Sequence, residues 1–295
     1  MPCYHPLVAF KCDGKVVFDK PFAFAKGFNL PCGQCIGCRL DYSRQWAIRC
    51  VHEAQMHEDN CFITLTFNNE FLHKRKNPYS LDVSEFQRFM KRVRKKYGYK
   101  IRFFHCGEYG DQNKRPHYHA LMFGHDFQDK KLWQHKDGFK LFVSEELQEL
   151  WPYGFSTIGP VNFETAAYTA RYIMKKQTGE GAADYYQHVD EDGVVWQLHP
   201  EYCTMSRREG IGYEWYQKYG WEDCHKNDFV VINGKEVRPP RYYDKLLDDD
   251  KLEVIKKQRI EDMEEPIIEY DQRMDRLWVS EEVKIKKLER LIRNV

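Results

Sequence analysis

The segment that most constrains the fold runs from Arg115 to Phe123 and reads Arg-Pro-His-Tyr-His-Ala-Leu-Met-Phe. Side chains alternate between the two faces of a β-strand, so His117 and His119 point to the same face, roughly 6.6 Å apart. Leu121 and Phe123 continue that face with apolar side chains, which indicates that the core begins beyond the imidazoles. The segment therefore predicts a strand with two imidazoles at its open end, which are either a surface pair or two ligands of one metal ion.

The candidate core lies between residues 61 and 177. In the strand Phe62–Phe67, apolar residues alternate with Thr64 and Thr66, so we expect one face to meet helices and the other to be polar. The other predicted elements are a helix Asp82–Tyr97, strands Lys100–Cys106 and Pro116–Phe123, a helix Glu145–Trp151 capped by Ser144, a strand Phe155–Ile158, and a helix Phe163–Lys176 capped by Asn162 and stopped by Gly179.

Four segments are expected along the chain, and the core is the second of them. They are an N-terminal Cys-rich appendage (1–58) with a helix Asp41–His57, a core that carries the histidine strand (59–180), a DNA-binding or accessory extension (181–247), and a charged, exposed helical tail (248–295). The extension contains Phe229–Val237, in which Asn233-Gly234 predicts a type I′ hairpin turn.

Charge is spread unevenly. The formal net charge is only +1, from 46 Lys plus Arg against 45 Asp plus Glu, so a nucleic-acid surface has to be a local patch. Residues 86–102 contain eight basic residues and no acidic one, so this segment is either a phosphate-binding surface or an ordinary solvated helix face. The candidate DNA contacts are Arg92, Lys95 and Lys96 in this patch and Arg115 beside the histidine strand.

The N-terminal sequence and the hydropathy pattern favour a cytosolic protein. Residues 1–10 have neither a basic region nor an uninterrupted apolar stretch, and no segment approaches the ~20 apolar residues of a membrane span. Ten cysteines in such a chain are expected to be thiols or metal ligands rather than disulfides.

Glu108 is the candidate third ligand of the histidine site. It lies at the end of the strand before His117, where a hairpin would bring its carboxylate near both imidazoles. Two imidazoles and one carboxylate leave open positions on a divalent ion for a phosphate oxygen, so Mg²⁺ or Mn²⁺ is expected rather than a closed structural zinc.

Two tyrosines supply a candidate nucleophile. Tyr168 and Tyr172 are four residues apart and share one face of their helix, away from the apolar arc and beside Lys175 and Lys176. A phenol can attack a phosphodiester when a nearby cation favours the phenolate, and either lysine could provide that cation. The phosphotyrosine keeps the energy of the broken bond, and in keeping with this the chain has no G-x-x-x-x-G-K-[ST] nucleotide loop.

These motifs occur in the order of the three motifs of HUH endonucleases. With the Pro31–Arg39 cysteine turn and the Met205–Gly212 segment, the chain resembles the replication initiation proteins of gokushovirus-type microviruses, from Cys3 to about Leu247. The resemblance implies an α+β fold with a central antiparallel five-stranded sheet, the histidine pair on a central strand and the tyrosine helix packed across it.

The same resemblance implies a function. An initiator of this family nicks the origin of circular DNA, keeps the 5′ end as a phosphotyrosine and leaves a 3′-OH primer. Tyr168 and Tyr172 are then expected to alternate between cleavage and rejoining, and Arg207 and Arg208 to contact DNA. The expected partners are single-stranded and supercoiled circular DNA, a host helicase and a host DNA polymerase, in the cytoplasm of a bacterial cell.

The cysteine turn is a second candidate metal site. Cys32, Cys35 and Cys38 are separated by two residues each, which lets three thiolates converge on one ion. Cys3 is the favoured fourth ligand, with Cys12 and Cys50 as rivals. Structural Zn²⁺ is the leading interpretation, and an iron–sulfur cluster or plain reduced cysteines are the alternatives.

Two other functions remain open at the level of sequence. A non-enzymatic zinc module could bind nucleic acid through the basic helix and the abundant aromatic residues, but it leaves the histidine and tyrosine pairs unexplained. A metallonuclease could instead use water as the nucleophile on the same three ligands, and it would never become attached to its substrate.

Overall fold

A computed structural model of the chain describes residues 3–12, 15–110, 113–136, 138–176, 179, 181–261 and 270–292. Side chains are described for these residues except at 136, 172–175, 260–261, 270–274 and 289–292. The chain divides into two compact units, a central unit Ser43–Asp249 and a terminal unit made of Met1–Tyr42 and Asp250–Val295. The four functional segments expected from the sequence follow other boundaries and stay predictions.

The strands, in chain order, are β1 (Leu7–Cys12), β2 (Lys15–Val17), β3 (Gly27–Leu30), β4 (Asn60–Leu65), β5 (Arg102–Tyr109), β6 (Pro116–Phe123), β7 (Lys131–Lys136), β8 (Phe139–Val143), β9 (Ser156–Gly159), β10 (Gln187–Val189), β11 (Val195–Gln197), β12 (Tyr202–Met205), β13 (Val230–Ile232) and β14 (Lys235–Val237).

The helices are α1 (Ile36–Ala54), α2 (Asn69–His73), α3 (Val83–Tyr97), α4 (Glu145–Leu150), α5 (Phe163–Lys175), α6 (Ala182–Tyr185), α7 (Tyr213–Gly220), α8 (Arg241–Asp244), α9 (Asp249–Glu261) and α10 (Tyr270–Ile292), together with a π-helix Trp221–His225. Within the described ranges, no helix combines the length and the apolar character needed to cross a bilayer.

The predicted α+β class and the antiparallel sheet are confirmed. The largest sheet among the described residues has seven strands in the order β12-β5-β6-β4-β9-β8-β7, against the five that the family resemblance implies. The sequence pattern did not indicate β7 or β8, because β7 has two adjacent apolar residues at its bulge, Leu132 and Trp133, and β8 ends in three successive apolar residues. The histidine strand β6 lies between β5 and β4, well inside the sheet.

Each face of the sheet is covered by different helices. On one face, Tyr118, Ala120 and Met122 of β6 pack in a core with α3 and α4. On the opposite face, Leu121 and Phe123 pack with the small residues of α5 and with α1; the core residues here are Ala47, Cys50, Phe104, Ala166, Ala170 and Ile211. This second face carries the histidines, so we call it the histidine face. The sequence predicts a polar surface on the threonine side of β4, which belongs to this face. The surface there is only partly polar, because Phe62 is half-buried on the same side.

The caps of the core helices follow the sequence closely. The side chains of Asp82, Ser144 and Asn162 each accept a hydrogen bond from a backbone N–H in the first turn of α3, α4 and α5. Helix α5 ends at Lys175 with Lys176 as its C-cap, so the predicted end at Lys176 is confirmed to within one residue, although Gly179 lies beyond the cap. The predicted start of α1 was wrong, because the helix begins at Ile36 rather than Asp41 and Cys38 is therefore a helical residue.

The rest of the central unit packs a third apolar cluster beside α1. In it His52 stacks on Trp215, with ring centroids 3.5 Å apart, and contacts the hydroxyl of Tyr243 at 2.8 Å. The predicted hairpin is present as β13 and β14, with positive φ at both Asn233 and Gly234, as a type I′ turn requires.

The terminal unit contains a three-stranded sheet in the order β2-β1-β3, the Cys-rich segment and the long helices α9 and α10. The described side chains of α9 are mostly exposed, in agreement with the predicted charged helical tail. His5 lies 2.5 Å from the carboxylate of Glu281, which joins the two ends of the chain within this unit.

Candidate functional site

Glu108, His117 and His119 converge on the histidine face. Strand pairing sets Glu108 of β5 directly opposite His117 of β6. Oε1 of Glu108 lies 3.0 Å from Nε2 of His117 and 2.7 Å from Nε2 of His119. The three ligand atoms fall within 4.8 Å of one another, a spacing at which one divalent ion can be held.

Each imidazole is oriented through its other nitrogen. Nδ1 of His117 lies 3.0 Å from the carbonyl oxygen of Arg115, and it must be the donor because a carbonyl can only accept. When the ring is neutral, Nε2 therefore carries no proton and its lone pair can bind an ion. Nδ1 of His119 lies 2.9 Å from the hydroxyl of Thr64, its partner across the β4–β6 pair. Sequence reasoning missed Thr64, although its position on the polar side of β4 was the available signal.

The carboxylate of Glu108 is held in its ionised form. Burial, with a side chain only 2 % exposed, raises its pKa, but the hydrogen bonds and charge of His117 and His119 outweigh burial and lower the pKa to about 2. A buried anion with two imidazoles supplies a negatively charged ligand set that suits a hard divalent cation.

Tyr168 lies at this cluster. Its hydroxyl donates to Oε1 of Glu108 at 3.3 Å, and its ring packs edge-on against His119 with centroids 5.1 Å apart. Phe62 of β4 stacks on His119 and meets the edge of the Tyr168 ring. Helix α5 reaches this place because Ala166 and Ala170, both fully buried, let it lie close to β5, β6 and β12.

The rest of the predicted nucleophile set is described only in part. The side chains of Tyr172 and Lys175 lie outside the described residues, so both stay predictions. Lys176 is exposed at the C-cap of α5.

Comparison with known proteins points to one family. Residues 60–177 match the family model of the replication-associated protein ORF2/G2P. The chain is 33% identical to the replication-associated protein VP4 of Bdellovibrio phage phiMH2K, over 82% of this chain and 76% of that protein. The chain belongs to this family of phage replication-associated proteins. The resemblance to microvirus replication proteins seen in the sequence is thereby confirmed.

Two further relatives agree with this assignment. Identity is 31% to the replication-associated protein ORF2 of Spiroplasma virus 4, over 75% of this chain and 68% of that protein. It is 30% to the replication-associated protein ORF4 of Chlamydia phage 1, over 75% of this chain but only 54% of that longer protein. No solved structure matches the chain.

This replication-associated protein has a second cluster that could hold a metal, in its terminal unit. The Sγ atoms of Cys3, Cys32, Cys35 and Cys38 all lie within 4.8 Å of one another. The structure thus selects Cys3 over its rivals, since Cys50 is buried in the core of the central unit and Cys12 belongs to β1.

Backbone N–H groups surround these sulfurs. The N–H of Cys32 donates to Cys3 at 3.2 Å and that of Tyr4 to Cys35 at 3.3 Å. The N–H groups of Gln34 and Cys35 both donate to Cys32. Burial raises the pKa of Cys35, but hydrogen bonds from its neighbours reverse this and lower it to about 6. Such N–H···S bonds stabilise thiolates, the form that binds a metal.

Several of the predicted DNA contacts have partners within the protein. Arg92 is half-buried and donates to the carbonyl of Leu150, and Arg115 donates to the carbonyl of Phe67 and the side chain of Asn69. Lys96 is near two glutamates, whereas Lys95 is exposed. Arg115 therefore fixes the turn before His117, and a DNA role for these four residues stays a prediction.

Arg102, counted in the basic patch of the sequence, is a buried residue and that interpretation was wrong. It pairs with Glu53 of α1 and donates to the carbonyls of Arg208, Glu209 and Gly210. The pair holds the loop after β12 in place, and Glu53 also accepts the N–H of Gly212 at 2.6 Å.

The two basic regions of the sequence meet in one groove. A cavity of about 490 Å³ lies between the end of α3, the start of β5 and the loop after β12, and its basic lining residues are Arg94, Lys100, Arg102, Arg207 and Arg208. Arg207 and Arg208 are exposed. Arg102 and Glu108 are six positions apart on β5, which puts the groove roughly 20 Å from the metal-ligand cluster.

Proposed function

We propose that this protein initiates rolling-circle replication by nicking single-stranded origin DNA with Tyr168. The observation that carries the proposal is the contact between the Tyr168 hydroxyl and Glu108 Oε1, at 3.3 Å, beside both histidines. A phosphate bound at that cluster would have the phenolic oxygen within reach for attack.

In the proposed reaction the Tyr168 oxygen forms a bond to phosphorus as it loses its proton. The bond from phosphorus to the 3′ oxygen breaks, and that oxygen takes up a proton to become the 3′-OH primer. The 5′ end stays on the protein as a phosphotyrosine, and attack by a 3′-OH reverses the step and rejoins the ends. No nucleotide cofactor is required, because the ester conserves the energy of the broken bond.

Glu108, His117 and His119 would hold a divalent ion, Mg²⁺ or Mn²⁺. When bound, the ion would withdraw charge from the phosphate oxygens and favour the phenolate. Thr64 and the Arg115 carbonyl keep the imidazole nitrogens turned toward the ion, and Phe62 excludes water from one side of His119. Lys175 or Lys176 would add positive charge at the end of α5.

Tyr172 would serve as the second nucleophile. It lies one helical turn after Tyr168, so the same helix can present either phenol to the same ion. In that scheme one tyrosine cuts the origin and the other takes part in rejoining after a round of synthesis.

The four cysteines would hold a structural Zn²⁺. A four-thiolate set fits the tetrahedral coordination of zinc, and the backbone N–H groups around it supply the second-shell hydrogen bonds that such sites use. The ion would link Cys3 to the start of α1 and order the N-terminal segment.

The substrate would be circular DNA, single-stranded or supercoiled, at a phage origin. The groove with Arg207 and Arg208 would bind DNA phosphates at a distance from the phosphodiester that is cut. A host helicase and DNA polymerase would act next, in the cytoplasm of the bacterial cell, because the 3′-OH needs a polymerase and strand displacement.

The test is incubation of the protein with single-stranded circular DNA and Mn²⁺ or Mg²⁺, protease digestion, and mass spectrometry for a tyrosyl nucleotide peptide. We expect the adduct on Tyr168 or Tyr172. Cut DNA without an adduct would favour a nuclease that uses water, and binding without cutting would favour a non-enzymatic module; either result would refute the proposal.

A further inference from the structure

An exposed aromatic pair lies on the histidine face of the sheet. Trp133 of β7 and Phe155, just before β9, meet edge to face with ring centroids 4.8 Å apart. Both stay open to solvent, with 48% and 45% of their surface exposed. Two large rings in contact with each other and not covered form an apolar surface that can accept another flat group.

Strand register places this pair on the same face as the ligand cluster. Thr64, which contacts His119, pairs with Thr157 of β9, and alternation turns Phe155 to the same side as Thr157. A Cβ built on Gly159 would meet Phe62 and Leu141, so these residues share that side too.

A β-bulge brings Trp133 to the same place. The β7–β8 register shifts between Leu132 and Gln134, so Trp133 is the extra residue of the bulge. Bulges often turn a side chain toward a functional site at the edge of a sheet. Here the bulge turns Trp133 toward Phe155 across β8.

The pair also lies close to the reacting centre. The N–H of Thr66 donates to the carbonyl of Phe155 at 3.0 Å. Thr66 directly follows Leu65, the last residue of β4, which pairs with Tyr118. Phe155 is therefore level with His117, two strand spacings away, or about 10 Å. Helix α5 packs on β5, β6 and β12, which leaves the β4–β9–β8 part of this face to other contacts.

We propose that Trp133 and Phe155 form a stacking platform for an unpaired base of the DNA strand whose phosphate lies at Glu108, His117 and His119. The inference rests on the proposed function. Exposed aromatic rings on a sheet are a common means of holding single-stranded nucleic acid, because every base has a face that can stack. A base in a duplex is already stacked, so the platform would select unpaired DNA at the cut site.

The test compares Trp133→Ala and Phe155→Ala with Trp133→Phe and with Trp221→Ala, an exposed tryptophan on the π-helix far along the chain. Affinity for a fluorescein-labelled single-stranded origin oligonucleotide is measured by anisotropy without added divalent ion, so that no cutting intervenes. EDTA is omitted, because it would also remove an ion from the cysteines. Thermal unfolding of each variant checks that it is folded.

We expect each alanine variant to bind the single strand roughly 5- to 100-fold more weakly, with Trp133→Phe and Trp221→Ala close to the wild type. Duplex affinity should change little. An oligonucleotide with one abasic position beside the cut should lose affinity for the wild type but not for Trp133→Ala, since the two changes remove the same contact.

The outcomes separate this inference from the proposed function. Wild-type affinity in both alanine variants would overturn the platform, whether or not a tyrosyl adduct forms. Weaker binding in the variants, with no adduct formed by the wild type, would keep the platform and refute the nicking reaction. An equal loss for duplex and single strand would also overturn it, because the rings would then not be reading unpaired bases.

Discussion

The phenolic oxygen of Tyr168 lies 3.3 Å from Oε1 of Glu108, the same carboxylate oxygen that contacts both His117 and His119. The candidate nucleophile and both candidate imidazole ligands thus contact the same carboxylate oxygen. Because two strands and a buried helix face fix these groups, little rearrangement is needed to bring an attacking oxygen to a bound phosphate.

Replacing Tyr168 with Phe should abolish the first cleavage. The ring would keep its packing against His119 and Phe62, so the fold should persist while the attacking oxygen is lost. We expect at least ~10³-fold slower formation of the covalent adduct, measured by denaturing gel with labelled single-stranded DNA. Tyr219→Phe, at an exposed position of α7, is the matched control. Adduct formation at the wild-type rate would assign the attack to another residue.

Thr64→Val should lower the affinity of the site for the divalent ion without removing a ligand. Valine keeps the shape of threonine but cannot hold Nδ1 of His119, so the ring would lose its fixed orientation. Loss of such an outer contact typically costs 10- to 100-fold in metal affinity. The Mn²⁺ concentration for half-maximal nicking should rise by about that factor. Thr157→Val, on the neighbouring strand, should leave it unchanged, and an equal rise in both variants would indicate a general loss of packing.

Cys3→Ser should release the proposed zinc and destabilise the terminal unit. Structural zinc contributes directly to folding free energy, so both the zinc content and the unfolding temperature should fall. Inductively coupled plasma mass spectrometry gives the metal per chain, and Cys12→Ser is the control. After chelation, only Zn²⁺ should restore the unfolding temperature. A chain purified with iron, or with no metal in the wild type, would contradict the assignment.

The parts of the site that could be predicted are those set by local pattern. Strand alternation puts His117 and His119 on one face, and a hairpin between neighbouring strands brings Glu108 opposite them. The helical period of α5 likewise turns Tyr168 away from the apolar arc that contains Ala166 and Ala170. Each of these depends on short-range geometry that the residue types already specify.

The parts that could not be predicted depend on long-range pairing. Arg102 reads as one more cation of a basic patch until its partner Glu53, 49 residues away, is known. Thr64 becomes a support for His119 only through the register of β4 with β6. Trp133 falls in a strand without regular apolar alternation, and nothing local indicates that a bulge turns it toward Phe155.

Arg207→Ala combined with Arg208→Ala should reduce the salt dependence of DNA binding. Each phosphate contact that is lost removes roughly 0.7 to 0.9 from the slope of log affinity against log salt concentration. The slope is measured by anisotropy over a salt series, with Lys218→Ala as the control. The tyrosyl adduct should still form at high protein concentration, because the groove is roughly 20 Å from Glu108. An unchanged slope would exclude this groove from DNA binding.

Acid sensitivity should arise in part from His52. Burial lowers its pKa to about 3 in the folded chain, against about 6.5 when unfolded, so between these values only the unfolded chain binds the proton. Stability is therefore lost as the pH falls from about 6.5 toward 3, by up to ~1.4 kcal/mol per pH unit. In His52→Phe, which keeps a ring against Trp215, urea unfolding at a series of pH values should show a shallower decline. His73→Gln, at an exposed position of α2, is the control. An equally steep decline in His52→Phe would mean that other groups set the acid limit, since His105 is also buried with a lowered pKa.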